Sequence, residues 1–507
     1  MRDKSVVKNS YIAFLTQVST MVIAFVMQSI FVRSLGGAYV GANGLFTNIL
    51  SILSFSELGI GNAAAFALYD PLKNGNQERI SGILSFLRRA YTFVGLTVFL
   101  VGVLLAPFLH LFVHGDSIRH LKFYFVLFVI NSAISYFFSY KRTLLIADQK
   151  NYITTLNVFY AKVATSIIQV AFLLMHSYLG FLIIQIVGTL ISNFLISRKT
   201  NSLYRDIFPL KSSLMDPNDK KVLLSSSLGI MGQQIGGIIV RDTNNLFISG
   251  FVGLMAAGIY SGYMLIVNGV MTILTQVINS TVATLGSWNI SMSSSQMTDI
   301  LKKHLFVTWT FSYFVVSILI SSITPFINIW LGPAYNFDFV IVLVILFNLY
   351  FSLNRLTLLA FVQAQGLFVK TGIKSLVEAA LNIIVSLLLI VVFRLGVLGV
   401  VLGTTIVNLS LNIWFDPWVV YVSGLGGHLD FKYFQIYVVR AILTFVPATI
   451  VEMFMRSVAG QFNVGLYLAV SVLLTVFVAT AIYLIYVVRN PEFKYLIGLI
   501  KQRFNKE

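Results

Sequence analysis

Residues 464–488 read VGLYLAVSVLLTVFVATAIYLIYVV, a run without a single charged or histidine side chain. At about 1.5 Å per residue, a helix of this length outreaches the roughly 30 Å hydrocarbon core of a bilayer. Backbone N–H and C=O groups in hydrocarbon must be paired within the segment, so the run reads as a transmembrane α-helix. Comparable stretches precede it, near residues 10–33, 40–68, 90–113, 121–147, 152–175, 180–197, 223–249, 255–285, 304–328, 338–360, 375–393, 397–419 and 435–456. The expected fold class is an all-α integral membrane protein with about 14 transmembrane helices. The first stretch is too long for a cleavable signal core and no small-residue cleavage site follows it, so it is read as a retained span.

Composition supports this. Only 10% of the 507 residues are charged and 57% are hydrophobic, whereas soluble domains carry about 25% charge. A soluble enzyme and any disordered or fibrous class are excluded. The net charge of +17 comes from 35 Lys and Arg against 18 Asp and Glu. In a soluble chain it would point to nucleic acid; here the positive-inside rule accounts for it. An even number of spans puts both termini on one side. If that side is the cytoplasm, Arg33, Arg119, Lys122, Arg394 and Arg456 fall outside. Lys141, Arg142, Lys162, Arg241 and Arg355 fall within spans, and the other 25 lie in or beside cytoplasmic segments. The chain is thus expected in the plasma membrane, multi-pass, with cytoplasmic termini and no nucleic-acid partner. The longest loop, residues 198–222, is cytoplasmic on this reading, and no external connection exceeds about ten residues. Cysteine is absent, which removes disulfides, thiol nucleophiles and thiolate metal sites.

Three local matches indicate an internal repeat. Phe138 to Arg142 with the following Thr-Leu-Leu-Ile-Ala resembles Phe351 to Arg355 with Leu-Thr-Leu-Leu-Ala. Leu179-Gly180 resembles Leu398-Gly399, and Gly41 resembles Gly258. The offsets are 213, 219 and 217. An even-numbered unit repeats in parallel, about an axis along the membrane normal. The expected organisation is two pseudo-symmetric six-helix bundles, residues 1–215 and 216–430, followed by two further helices and a cytoplasmic tail, 431–507. The expected substrate path is a cavity between the bundles.

Ionisable groups within spans cost at least roughly 2.5 kcal/mol at the bilayer centre, so they mark cavities or pairs. Lys162 is the deepest cation, about ten residues into its span; it either lines a cavity or pairs with an acid on a neighbouring helix. Arg241-Asp242-Thr243-Asn244-Asn245 is a polar run in the seventh span, and it cannot face lipid throughout. Arg241 is a candidate contact for an anionic substrate, with an Arg241–Asp242 pair as the structural alternative; Asp242 and Asn245 join it as cavity candidates. Arg142 and Arg355 occupy matched positions in the repeat and suit a shared role at an inner mouth, although snorkelling explains either alone. Arg33, at the outer end of the first span, is a weaker substrate candidate and reads first as an interface anchor. Arginine suits phosphate through its planar donor fork. The buried acids are Glu57, Asp242, Glu378, Asp416 and Glu452. Glu57 and Glu378 are candidates for a coupling H⁺ or Na⁺, since burial favours a protonated carboxyl; pairing with a cation is the commoner arrangement.

Catalytic signatures are missing. There is no Gly-Lys dipeptide, hence no P-loop, and neither Gly-x-Ser-x-Gly nor HExxH occurs. His110 and His114 stand four residues apart with His120 nearby, a placement expected of a membrane interface rather than a metal site. No cofactor or metal is expected. Residues Arg489 to Lys506 read as an amphipathic helix on the anionic inner leaflet.

Four stretches resemble the Wzx-like polysaccharide flippases of the multidrug/oligosaccharidyl-lipid/polysaccharide (MOP) exporter superfamily. They are Gly44 to Leu50 leading to Glu57-Leu-Gly-Ile-Gly61 and Leu68 to Leu72; Tyr140 to Gln149; Asp242-Thr-Asn-Asn245 followed by Gly258-Ile-Tyr-Ser261; and Ile329-Trp-Leu-Gly332. The resemblance implies a flippase that moves undecaprenyl-diphosphate-linked oligosaccharide repeat units from the inner to the outer leaflet by alternating access, for capsule, exopolysaccharide or a related surface polymer. It implies two lobes around a polar, often cationic cavity, and polysaccharide polymerase and glycosyltransferases as partners beside membrane lipids. It carries over Glu57, Arg142 and Asp242 as matching motif positions only. The alternative is a drug/cation antiporter of the same superfamily, against which the buried cations argue. A polysaccharide polymerase or ligase would need an external catalytic loop that the chain lacks, so no enzyme activity is expected.

Overall fold

A computed structural model describes the chain except for residues 1, 55–59, 115–117, 209–214, 216–219, 221–235, 241, 489 and 495–507, and except for the side chains of 2–11, 62, 66, 283, 290, 368 and 369. Each apolar run within the described residues is helical, and no strand occurs among them. The helices are α1 (Arg2–Leu35), α2 (Gly37–Leu53), α3 (Ile60–Asn74), α4 (Gln77–Leu105), α5 (Leu121–Ala147), α6 (Asn151–Leu174) and α7 (Tyr178–Leu203). They continue as α8 (Leu254–Ser291), α9 (Ser294–Trp330), α10 (Phe339–Ala364), α11 (Phe368–Leu387), α12 (Gly396–Gly424), α13 (Phe431–Ser457) and α14 (Val464–Val487). Residues 236–240 and 242–250 are helical as well.

Twelve helices among the described residues are long and apolar enough to cross a membrane, and the chain is a multi-pass membrane protein. The two stretches outside that set have plain reasons. The second expected span is described as two helices, α2 and α3, each shorter than a bilayer needs. The seventh lies largely among undescribed residues. The amphipathic segment expected from Arg489 falls outside the described residues from residue 495 on.

By internal contacts the chain divides into two units. The first comprises 1–265 with 372–380, and the second 266–371 with 381–507.

In the first unit, α5 packs along α4 and α7, and α6 along α1 and α7. Aromatic rings fill the gaps. Phe46 of α2 is fully buried between Phe125 and Phe128 of α5, with centroids 5.2 and 5.4 Å away. Tyr178 at the start of α7 meets Tyr39 edge-on at 5.1 Å and Tyr124 at 4.9 Å. Just beyond α7, Tyr204 donates to Asp148 at 2.5 Å, and Asp148 pairs with Lys150 at 2.6 Å. Burial and this carboxylate hold the Tyr204 phenol neutral, far above its ordinary pKa.

In the second unit, α9 is the hub and contacts α10, α13 and α14. Its buried face repeats small hydroxyls at helical spacing: Thr308, Ser312, Ser317 and Ser321. In lipid the apolar effect does not drive helices together, so small residues that allow close approach and hydrogen bonds across the interface do so instead. Ser312 accepts from Asn354 of α10 at 2.9 Å, Ser317 donates to the Thr444 carbonyl of α13 at 3.3 Å, and Ser321 accepts from Thr475 of α14 at 2.8 Å. Trp309, Tyr313 and Tyr483 stack beside this stripe. The α12 span is not a uniform helix: π turns at Asn408–Asn412 and Val419–Gly424 flank a short α segment, Ile413–Trp418, that carries Asp416 and Pro417.

Candidate functional site

Lys162 sits midway along the 24-residue α6, about 16 Å from its start. Positions four, seven and eleven residues on, Ser166, Gln169 and Leu173, share its face and are buried. Tyr160, Ala164, Ile167 and Ala171 form the exposed face, and Tyr160 is 65% and Ile167 69% exposed. That face suits lipid. Lys162 is offset from it by two residues, about 200° around the helix, yet is itself exposed. The packed side of α6 therefore opens at the lysine. Lys162 has no ion pair or hydrogen bond among the described residues.

Asn157, five residues before Lys162 on α6, joins a polar network on three helices. Arg142 of α5 donates to Asn193 Oδ1 of α7 at 2.9 Å and, more weakly, to Ser192 Oγ at 3.4 Å. Ser192 in turn donates to Asn157 Oδ1 of α6 at 2.9 Å. These partners are all neutral, so the guanidinium keeps its charge uncompensated by an acid among the described residues. The adjacent Lys141 is buried and held by Ser197 at 2.6 Å and Asn201 at 2.8 Å, with the Phe208 ring 5.1 Å away. Arg33 is exposed in the last turn of α1, where a cation complements the helix C-terminus.

The polar run of the seventh span is buried as a block: Asp242, Thr243, Asn244 and Asn245 are each at most 7% exposed. Asn245 lies over Gly44 of α2 beside Ser261 of α8, in space that a side chain at position 44 would fill. Asn244 hydrogen-bonds the buried phenol of Tyr260. Segments of two of the four stretches that carry the sequence resemblance, Gly44 from the first and Asp242–Asn245 with Gly258–Ser261 from the third, thus meet in one place. Arg241 and Glu57 lie outside the described residues.

Arg355, the repeat partner of Arg142, has a different companion. It pairs with Asp416 of α12 at 2.5 Å, and the carboxylate side chain is 1% exposed. Arg142 thus reaches α7, and Arg355 reaches α12. Glu378 pairs with Lys374 one turn earlier on α11 at 2.8 Å, both buried. At that distance the ammonium occupies the position a coupling cation would take on the same oxygen.

One cation escaped the sequence reading. Arg440 was grouped with the basic rim, but α13 begins at Phe431 and places it about 14 Å inside the helix. Tyr433, Tyr437 and Arg440 fall at i, i+4 and i+7 on one face, a spacing that was readable once the helix start was known.

No protein-family model and no curated protein sequence matches the chain. Solved structures do match. An inward-facing multidrug resistance MATE family transporter of the MOP superfamily aligns with a TM-score of 0.65 at 13% identity, over 81% of this chain and 97% of that one. The lipid II flippase MurJ in an inward closed conformation aligns with a TM-score of 0.65 at 14% identity, over 95% of this chain and 98% of that one. A MOP superfamily transporter from Pyrococcus furiosus, described as having a binding pocket of reversed polarity, aligns at 0.57 and 14%, over 84% and 97%. The chain has the fold of MOP-superfamily transporters, and these neighbours are transporters and flippases.

Proposed function

We propose that the chain is a flippase that carries undecaprenyl-diphosphate-linked oligosaccharide units from the inner to the outer leaflet by alternating access. The observation that carries this reading is Lys162: a mid-membrane cation on the packed side of its helix, exposed and without an acidic partner among the described residues. Holding such a charge in hydrocarbon is costly. A diphosphate passing the site would compensate it through charge-assisted hydrogen bonds. Arg142, bonded to neutral groups alone among the described residues, fits the same task. Arg241, Asp242 and Asn245 belong to this proposed path, and the proposed ion-coupling carboxylates, for H⁺ or Na⁺, are Glu57 and, once released by Lys374, Glu378. The polyprenyl chain would stay in lipid while the head group crosses.

Both termini are proposed to be cytoplasmic, in the plasma membrane, from the distribution of Lys and Arg. Glycosyltransferases that build the unit and a polymerase that consumes it are the proposed partners. A drug/cation antiporter is the second reading, favoured by the MATE neighbours. Cationic drugs call for acids in the path, whereas the acids Asp416 and Glu378 are neutralised by Arg355 and Lys374.

The test is a strain that lacks its own exporter for one lipid-linked glycan. Expression of the chain should restore the surface polymer, and purified protein in liposomes should move a fluorescent polyprenyl-diphosphate oligosaccharide across the bilayer. Failure to flip that lipid, together with pH- or Na⁺-driven efflux of a cationic dye, would replace this reading with the antiporter.

A further inference from the structure

The second unit contains a cavity of about 310 Å³ that is lined by neither Arg355 nor Asp416, although Asn354, Tyr433 and Tyr437 border both it and the surroundings of Arg355. Arg440, Tyr350, Tyr433 and Tyr437 are among its lining. The guanidinium stacks on Trp309, 4.8 Å from the ring centroid, with Phe306 at 5.6 Å. A cation held over a ring face uses none of the five N–H donors of the guanidinium in that contact. Arg440 Nε is buried with no acceptor among the described residues, and so is the Tyr437 hydroxyl. Arg440 has no carboxylate within ion-pair distance among the described residues. The two acids of the lining, Asp430 and Glu492, stand with Lys302 and Lys432 toward the helix ends, where the opposite charges offset one another.

Buried donors without acceptors are costly, and the half-buried Arg440 guanidinium adds a positive charge with no acid beside it among the described residues. A ligand that repays both must be an anion with several acceptor oxygens. The planar fork of arginine matches phosphate. The volume exceeds what one phosphate fills and lies at the small end of ligand cavities, and tyrosine faces suit a sugar- or glycerol-sized group. We propose that this cavity binds a phosphate ester of a sugar- or glycerol-sized group, with Arg440 and Tyr437 as the phosphate contacts. The ester has two sources: a soluble sugar phosphate or the head group of a lipid.

Binding is measured on the purified full chain and needs no transport, so its outcome is independent of the flippase reading. In one arm, glucose 1-phosphate is titrated into detergent-solubilised protein. In the other, protein in nanodiscs of phosphatidylcholine is titrated with short-chain phosphatidylglycerol. Saturable binding is expected in at least one arm, and the responding arm identifies the source. Arg440→Gln should weaken it about ten- to a hundredfold, the loss expected for hydrogen bonds to a charged group. Arg440→Lys should recover part of it, and Arg394→Gln, an exposed arginine elsewhere in the unit, should leave it unchanged. Should Arg440→Gln fail to fold, Tyr437→Phe removes only a hydroxyl and should weaken binding several-fold. Absence of saturable binding in both arms, or unchanged affinity in the Arg440 and Tyr437 variants, overturns the proposal.

Discussion

Gly41 of α2 and Gly258 of α8 meet backbone to backbone. A methyl group on Gly258 would overlap the Gly37 carbonyl and stand 3.2 Å from the Gly41 nitrogen; one on Gly41 would overlap the Leu254 carbonyl and stand 3.0 Å from the Gly258 nitrogen. These are the glycines that the sequence repeat pairs at an offset of 217. The neighbours on both sides are backbone atoms, which no rotamer change can clear. Gly41→Ala is therefore expected to destabilise the protein by about 1–3 kcal/mol, the range for overpacking. Gly460→Ala, which meets nothing within 4 Å, should change stability by about 0.5 kcal/mol or less. Thermal unfolding of the purified variants measures the contrast.

Lys162→Ala should separate function from folding. With no partner among the described residues to strand, its loss should leave membrane abundance at the wild-type level while glycan export falls at least about tenfold, the equivalent of one charge-assisted contact. Complementation with quantified membrane protein reads both. Full export by the variant would remove Lys162 from the path.

Arg355→Ala is expected to behave in the opposite way. It leaves the buried Asp416 carboxylate without this cation, a change that costs about 3–5 kcal/mol, so abundance and thermal stability should drop together. The double variant Arg355→Ala with Asp416→Ala should regain most of the loss. Arg142→Ala removes hydrogen bonds to neutral groups and should cost less, about 1–3 kcal/mol.

The orientation is checked by cysteine labelling against the cysteine-free native chain. A cysteine at exposed Asn76, beside Lys73 and Arg79, should resist an impermeant maleimide in intact cells. One at exposed Gln461, between α13 and α14, should react. The reverse pattern would invert the proposed topology.

Helix number and type were legible because hydrocarbon imposes length and apolarity on every span. The place of Lys162 midway along its helix was legible too, by counting residues. What was not legible depended on contacts remote in sequence. Nothing in the spacing of Arg355 and Asp416, 61 positions apart, joins them. Lys374 and Glu378 lie closer to reach, since i,i+4 pairs are readable on a helix, but by composition the apolar run begins at residue 375, and the lysine falls just outside it. Arg440 differs: it falls inside the expected run 435–456, but so near its start that it counts with the cytoplasmic cations. Tyr433 and Lys432 sit in the first turn of α13 and mask its start, because aromatic and basic residues at an interface resemble loop in composition.

The two π turns of α12 bear on how this span should be mutated. Each wide turn holds more residues than an α turn, so the direction in which later side chains point slips relative to those before it. A helical wheel drawn at 3.6 residues from Gly396 keeps its phase only as far as Val407. Beyond Asn408 the phase must be reset for the Asp416 segment, and again after Val419 for Tyr421. A scan plotted on one continuous wheel would scatter the sensitive positions of this span around its circumference. Plotted in three phases, they should fall on a single side, the one that carries Asn408, Asp416 and Tyr421.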